Sequence, residues 1–223
     1  MPSQPGEFSQ PGEFSQATSN LWCDGGKRAV DLIIAFALLA LIAPALLIIS
    51  VLIRLDGGPA LFRHRRIGKG GRSFLCLKFR TMRVDAEQVL HDLLERDQEA
   101  RKEWDRDFKL RDDPRITRLG RILRKTSLDE LPQLINVLKG EMSLVGPRPI
   151  VEAEIPRYGR AIAFYLRCRP GITGLWQVTG RNNTSYTERV TLDVEYERGI
   201  SVWRDCHILA KTVIIVLTRN GAY

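Results

Sequence analysis

The sequence predicts an α+β membrane protein in which an N-terminal apolar helix precedes a small, mainly helical domain with a β-hairpin. Three observations predict this class. Residues 32–53 form a run of 22 without a charge. Two strand-like segments flank a glycine-rich turn, and most later segments have helical periodicity. The length of 223 residues suits one domain with an appendage.

The apolar segment, residues 27–55, is the strongest physical signal. As a straight helix, its uncharged run would be ~33 Å long, enough for a hydrocarbon layer of ~30 Å. Pro44 lies near its middle and should kink the helix. Basic residues flank both sides, with Lys27 and Arg28 before the run and Arg54 after it. Because basic flanks stay cytoplasmic, we predict a re-entrant helix broken at Pro44, with a simple span as the alternative.

Residues 1–26, ahead of this segment, are predicted to be a disordered tail. They contain no Lys or Arg, and the unit Gln-Pro-Gly-Glu-Phe-Ser occurs twice. The tail also lacks the basic start of a signal peptide.

The remaining residues, 56–223, are predicted to form a cytoplasmic domain. Segments 60–67 and 73–79 predict the hairpin. Residues 85–113 predict one or two amphipathic helices with a solvated outer face. Residues 201–218 predict a helix that either lies in the membrane interface or packs in the core.

The charge balance limits the classes of partner. The chain has 34 Lys and Arg against 26 Asp and Glu, and 26 of those bases are Arg. The planar Arg fork suits phosphates, so nucleic acid, an anionic membrane and a nucleotide-linked substrate are all candidates. The excess lies around the apolar segment and in the second half of the chain, which disfavours nucleic acid. Scattered cysteines and histidines disfavour a zinc site or a disulfide scaffold.

The candidate chemical centre is the Asp129-Glu130 pair. If a helix begins at Asp129, Pro132 falls in its first turn, where a missing N–H costs nothing. Asp129 would then stand at the positive end of a helix, downstream of Arg124 and Lys125, which is a good place for a phosphate. A plain helix cap is the alternative reading of the pair.

Two further motifs predict anion and ligand contacts. Arg148 lies between two prolines, which would present its guanidinium on a stiff backbone. A surface turn with an incidental Arg would look the same. Residues 169–182 combine glycines, donors and a tryptophan, as ligand loops do, although glycine-rich loops are weak evidence.

Together, five ordered motifs resemble the bacterial sugar transferases, the monotopic polyprenyl-phosphate phosphoglycosyl transferases. The likeness runs from about residue 27 to the C-terminus and is greatest for the short enzymes that initiate exopolysaccharide synthesis. One departure is Ala43 before Pro44, where the family often has Ser. The matching motifs are Lys27-Arg28 with Asp31, Lys78 to Met82, Ser127 to Gln133, Gly146 to Pro149 and Arg169 to Gly174.

The resemblance implies transfer of a hexose 1-phosphate from UDP-galactose or UDP-glucose to undecaprenyl phosphate at the cytoplasmic face of the inner membrane. Asp129 would be the nucleophile of a covalent intermediate, and Glu130, with Asp129, a ligand of Mg²⁺. Other polysaccharide-assembly enzymes are possible partners, and nucleic acid is not expected. The predicted substrate-binding residues are Lys78, Arg80, Arg124, Arg148, Arg169, Gln177 and Arg181.

Three alternatives stay open from the sequence. Asp129 could activate the lipid phosphate without forming a covalent adduct. The sugar could be glucose or an N-acetylated hexosamine. The chain could instead be a non-catalytic basic membrane adaptor or nucleic-acid binder, although that gives no reason for the Asp129-Glu130 pair.

Overall fold

The computed structural model describes residues 25–107, 110–180 and 184–218, so nearly all of the predicted tail lies outside them. The described chain is a long apolar helix joined to a mainly helical domain with two small sheets, which confirms the predicted α+β mixture of helices and sheet. The helices are α1 Lys27–Arg54, α2 Ala86–Arg96, α3 Gln98–Asp107, α4 Arg118–Lys125, α5 Gln133–Lys139, α6 Ile155–Tyr158, α7 Ile162–Arg167, α8 Leu175–Thr179, α9 Tyr186–Arg198 and α10 Val202–Thr218. The strands are β1 Leu61–Ile67, β2 Ser73–Phe79, β3 Ser143–Val145 and β4 Gly171–Thr173.

α1 is the one helix in the described chain that is long and apolar enough to cross a membrane. Its most apolar window has a mean hydropathy of 3.1, and only 6% of that window is buried. The helix runs through Pro44 as a single element. A proline removes one helical hydrogen bond while its own φ stays helical, so Pro44 does not interrupt the secondary structure.

Both ends of α1 contact the same domain. Near the N-terminus, the buried Asp31 carboxylate accepts hydrogen bonds from the Ser143 hydroxyl (2.8 Å) and the Leu144 amide (3.1 Å). Near the C-terminus, the Ile53 carbonyl accepts one from Nη2 of Arg80 at 2.9 Å. The domain therefore fixes the helix at two places separated by most of its length.

The predicted hairpin is confirmed. β1 and β2 pair antiparallel, with Leu61 opposite Phe79 and Ile67 opposite Ser73. Because side chains alternate along a strand, Phe62, His64 and Arg66 share one face of β1. Lys78 lies opposite Phe62 and therefore projects from that same face.

A second sheet brings two distant motifs together. β3 and β4 pair in parallel, with Val145 opposite Thr173. The two segments approach so closely that a Cβ atom on Gly171 would lie 2.1 Å from the Gly146 amide nitrogen. Neither segment therefore has room for a larger residue at its glycine. The Gly171 amide also donates to the Pro147 carbonyl at 2.8 Å. This places the Arg148 loop directly beside the glycine-rich loop.

The main hydrophobic core lies where α1, α5, β2, α9 and α10 meet. Ala35, Phe74, Val137, Tyr196 and Ile208 are all buried in it. The first half of α10 is therefore a core helix. By contrast, α2 has no buried residue, as predicted for a helix with a solvated outer face.

Candidate active site

A cavity of about 740 Å³ lies beside the hairpin, within the usual size range of small-molecule sites. One wall is the face of the hairpin that carries Phe62, His64, Arg66 and Lys78. The others are the turn between α4 and α5, the β4–α8 segment and one side of α10. The cavity is therefore bordered by charged side chains on some walls and by apolar side chains on others.

Asp129 and Glu130 lie together in a 3-10 turn that borders this cavity. The preceding Ser127 has φ +56°, a left-handed conformation that costs a non-glycine residue about 1–2 kcal/mol. The α-helix begins only at Gln133, so the prediction that it starts at Asp129 is wrong. Pro132 stands just before the first helical residue, where its missing N–H is not needed, and the chain upstream closes a tighter turn.

The environment of Asp129 raises its pKa to about 6. Burial is the main cause, the Glu130 carboxylate adds to it, and the cations Lys78 and Arg124 oppose it. At neutral pH most of the Asp129 population is therefore ionised. A carboxylate with its pKa close to the working pH is typical of catalytic groups.

Glu130 is paired with Lys78. Oε1 of Glu130 lies 2.5 Å from Nζ of Lys78, and both side chains are partly exposed to the cavity. Asn136, which is fully buried on α5, accepts from the Leu77 amide at 3.0 Å and donates to the Leu75 carbonyl at 2.8 Å. These bonds tie α5 to β2 and so set the position of Lys78 relative to Glu130.

Other cations border the cavity around this pair. Nε of Arg124 donates to the Thr81 hydroxyl at 2.9 Å. Arg148 is exposed, and its guanidinium lies 5.7 Å from the ring centroid of Trp176. Arg66 donates to the Pro149 carbonyl at 3.2 Å and so links the hairpin to the Arg148 loop. The polar side of the cavity is therefore suited to an anion with several charges.

Gln177 contributes the neutral polar group that the sequence predicted. Its amide nitrogen donates to the Ile172 carbonyl at 3.2 Å. Its oxygen Oε1 is buried and has no hydrogen-bond partner within the described chain. Because an unpaired buried acceptor is costly, this oxygen is a natural partner for a ligand hydroxyl.

The amino-acid sequence that forms this site matches a known protein family. The sequence profile of the bacterial sugar transferases matches residues 22–219. The chain belongs to the bacterial sugar transferase family.

Curated relatives of this sugar transferase include enzymes with named lipid and nucleotide-sugar substrates. The UDP-galactose-lipid carrier transferase of Erwinia amylovora is 53% identical over 197 residues, 88% of this chain and 41% of the relative. The exopolysaccharide production protein ExoY of Rhizobium meliloti is 48% identical over 198 residues, 88% of each chain. A UDP-glucose:undecaprenyl-phosphate glucose-1-phosphate transferase of Caulobacter vibrioides is 44% identical over 208 residues, 88% of this chain and 72% of the relative.

The chain spans about two fifths of the length of several curated relatives that it matches at 50% identity or more. ExoY is of similar extent, so the matched region also occurs as the greater part of a protein.

Not all the predicted substrate-binding residues of this sugar transferase meet in the cavity. Arg80 borders it, but its guanidinium pairs with Asp56 and donates to the Pro59 carbonyl (2.7 Å) as well as to Ile53. Arg169 is absent from the described walls and donates to the Gly140 carbonyl, at the end of α5, at 2.9 Å. Arg181 lies outside the described residues.

Sequence reasoning also missed residues that border the cavity. Arg66 and His64 were not predicted as site residues, and Trp176 was predicted only as part of the glycine-rich loop. Strand alternation was the available signal for the first two, because Lys78 projects from their face of the hairpin. Burial and the neighbouring Arg66 lower the pKa of His64, so this imidazole is neutral at pH 7.

The carboxylates of the site are the candidate ligands of Mg²⁺. The described residues contain no group of three or more His, Cys, Asp or Glu side chains that could hold a metal. Mg²⁺ commonly takes one or two carboxylates and completes its shell with water and substrate phosphates. The carboxylates of Asp129 and Glu130 fit that pattern.

Proposed function

We propose that this sugar transferase moves a hexose 1-phosphate from a UDP-hexose to undecaprenyl phosphate, with Asp129 as a covalent nucleophile. The observation that carries the proposal is a largely ionised carboxylate that borders a cavity together with Lys78, Arg124 and Arg148. Cations of this kind can hold a diphosphate and offset the repulsion between its charge and an attacking carboxylate. The named activities of the relatives support the same reaction class.

In the first step, an Asp129 carboxylate oxygen attacks the hexose-bearing phosphorus of the UDP-hexose. The new O–P bond forms while the bond from that phosphorus to the bridging oxygen breaks. UMP leaves with the electron pair of the broken bond. The product is an acyl phosphate, which keeps the activated character of the diphosphate.

In the second step, a phosphate oxygen of the lipid attacks the same phosphorus. The bond between that phosphorus and the Asp129 oxygen breaks, the carboxylate is restored, and an undecaprenyl diphosphate hexose is formed. The nucleophile and leaving group of both steps are already anions. The chemistry therefore depends on cations that balance charge rather than on a proton shuttle.

We further propose that Asp129 and Glu130 hold Mg²⁺ together with the diphosphate oxygens. Bound there, the ion would neutralise charge on the transferred phosphoryl group. The 2.5 Å ion pair with Lys78 would hold the Glu130 carboxylate in place at the cavity for this role.

For the membrane arrangement, we propose that residues 27–55 form a re-entrant insertion and residues 56–223 a cytoplasmic domain on the inner membrane. The contacts of Asp31 and Ile53 with one domain support this arrangement. A simple span would separate those two ends by the ~30 Å hydrocarbon layer. The undecaprenyl phosphate head group would then be met on the same side as the UDP-hexose.

For the sugar, we propose galactose first and glucose second. The Erwinia relative, named for UDP-galactose, is 53% identical, whereas the Caulobacter relative, named for UDP-glucose, is 44% identical. A panel of UDP-hexoses and UDP-N-acetylhexosamines assayed with one lipid acceptor would rank these donors by kcat/KM.

The proposed mechanism is tested by UMP release from the purified protein with Mg²⁺ and a UDP-hexose. We expect stoichiometric UMP release without lipid, a mass increase of one hexose phosphate on the protein, and multiple turnovers when undecaprenyl phosphate is added. Asp129→Asn should abolish all three, because an amide is a poor nucleophile. Asp112→Asn, an exposed carboxylate in the same part of the chain, is the matched control and should keep full activity.

Each alternative has a different outcome in this assay. Lipid-linked product without any lipid-free UMP release or protein adduct would indicate direct attack by the lipid phosphate. Full turnover by Asp129→Asn would show that the nucleophile is misassigned. No UMP release from any donor would favour a non-catalytic membrane protein.

A further inference from the structure

The cavity has one wall without charge. α10 contributes Thr212, Ile215 and Val216, which lie on one side of the helix because they are separated by three and four residues. Ile172 and Val178 extend this side of the cavity from the β4–α8 segment. The other side carries the cations and the two carboxylates of the proposed reaction centre.

Among the described residues, the part of this wall that α10 forms has no free polar side chain with which to read a nucleobase or a sugar. Thr212 is the polar residue that α10 contributes to this wall. Its hydroxyl donates to the Ile208 carbonyl at 2.8 Å. The same hydroxyl lies 2.7 Å from the hydroxyl of Thr173. Uracil and hexose rings carry several hydrogen-bonding groups, which this wall would leave unpaired at a cost.

The apolar wall continues to the exposed surface. Val216 borders the cavity and is also 43% exposed, so it lies at the cavity rim. Its neighbours Val213 and Ile214 are 58% and 59% exposed on the outer side of the same helix. Phe62, at the rim of the hairpin wall, borders the cavity as well and is 51% exposed. The rim of the cavity therefore presents apolar side chains over which an apolar chain could leave it.

We propose that the α10 wall, formed by Thr212, Ile215 and Val216, receives the first isoprenoid units of the lipid phosphate and guides its chain out of the cavity over Val216. An amphiphile with an anionic head and an apolar tail matches a cavity with cations on one side and aliphatic groups on the other. This inference rests on the proposed function, because it assigns one of the two substrates to one wall of the same site.

The test compares two adjacent isoleucines on α10. Ile215→Asn places a polar group in the wall, and Ile214→Asn makes the same change on the outer side of the helix. Initial rates are measured in nanodiscs while undecaprenyl phosphate and the UDP-hexose are varied separately. We expect Ile215→Asn to raise the KM for the lipid phosphate about tenfold, and Ile214→Asn to leave it within about twofold. Neither variant should change the KM for the UDP-hexose by more than about twofold.

Val216→Thr is a second variant that keeps the side-chain shape at a partly exposed position. We expect it to raise the KM for the lipid phosphate about two- to threefold. Equal lipid KM values for the wild type, Ile215→Asn and Val216→Thr would overturn the inference, as would an equal rise in the KM for the UDP-hexose. If the wild-type protein forms no lipid-linked product with any donor, it is the proposed function that fails.

Discussion

Two lysine–carboxylate pairs differ in what surrounds them. Lys27, at the start of α1, lies 2.6 Å from Asp205, and both side chains are largely buried. Asp205 also accepts a hydrogen bond from the Tyr196 hydroxyl at 2.7 Å. Lys78 lies 2.5 Å from Glu130, but both side chains are partly exposed to the cavity. The first pair is closed off by protein, whereas the second remains open to a ligand.

The same difference separates other basic residues of the chain. Arg28 donates to the Val137 carbonyl and Arg169 to the Gly140 carbonyl, so both are used to hold the end of α5. Arg148 donates to no protein acceptor within the described chain and faces the cavity. The arginines therefore serve two purposes, holding the fold together and binding a ligand. Those whose guanidinium donates to a protein acceptor serve the first purpose, and those without such an acceptor are available for the second.

Within this comparison of ion pairs, the largest effect is expected for Lys78→Met. Removing this cation should lower kcat for lipid-linked product about a hundredfold, because preorganised charge next to the reacting phosphate is lost. The thermal midpoint should change by no more than about 2 °C, since a partly exposed ion pair adds little stability. Steady-state kinetics and thermal unfolding in the same detergent measure both quantities.

Lys27→Met is the matched control, and the opposite pattern is expected. Breaking this buried pair leaves Asp205 without its cation, at a cost of about 3 kcal/mol. The thermal midpoint should fall by about 5–10 °C, while kcat per folded molecule stays within about threefold. If Lys27→Met lost as much turnover as Lys78→Met, the division between the two pairs would be wrong.

A second matched comparison uses two arginines that each precede a proline. Arg148→Lys should raise the KM for the UDP-hexose about tenfold, because an ammonium cannot replace a planar fork on a phosphate. Arg169→Lys should leave this KM within about twofold and lower stability by about 1 kcal/mol through its contact with Gly140. An equal rise in KM for both variants would instead indicate that Arg169 binds the UDP-hexose.

The smallest effect is a shift in the pH profile. The pKa of Asp129 is raised to about 6, so the carboxylate proposed as the nucleophile is progressively protonated as the pH falls through that value. We expect kcat/KM to fall about tenfold for each pH unit below about 6. Lys78 opposes the rise in this pKa, so Lys78→Met should move the midpoint of the profile upward, whereas Lys27→Met should not move it. A profile that stays flat below pH 6 would contradict this assignment.

Local chemistry in the sequence predicted much of the fold. The uncharged run of residues 32–53 predicted α1, and strand-like segments around a glycine turn predicted the hairpin within one residue of its observed ends. The start of α5 was misplaced by four residues, because Ser127 adopts a left-handed conformation that its residue type does not predict. The parallel pairing of β3 with β4 was not predicted, since strands of three residues carry too little periodicity to place.

The sequence by itself determined that an apolar helix, an Asp129-Glu130 pair and an excess of arginine occur together, because these depend on composition and short spacings. Only the tertiary structure decided which cations lie beside Asp129. That choice depends on the parallel pairing of β3 with β4 and on the Asn136 bonds from α5 to β2, which join residues that are far apart in the chain. Only the tertiary structure likewise showed that α10 forms the apolar wall of the cavity. The sequence of α10 suits a core helix and a membrane-facing helix equally well.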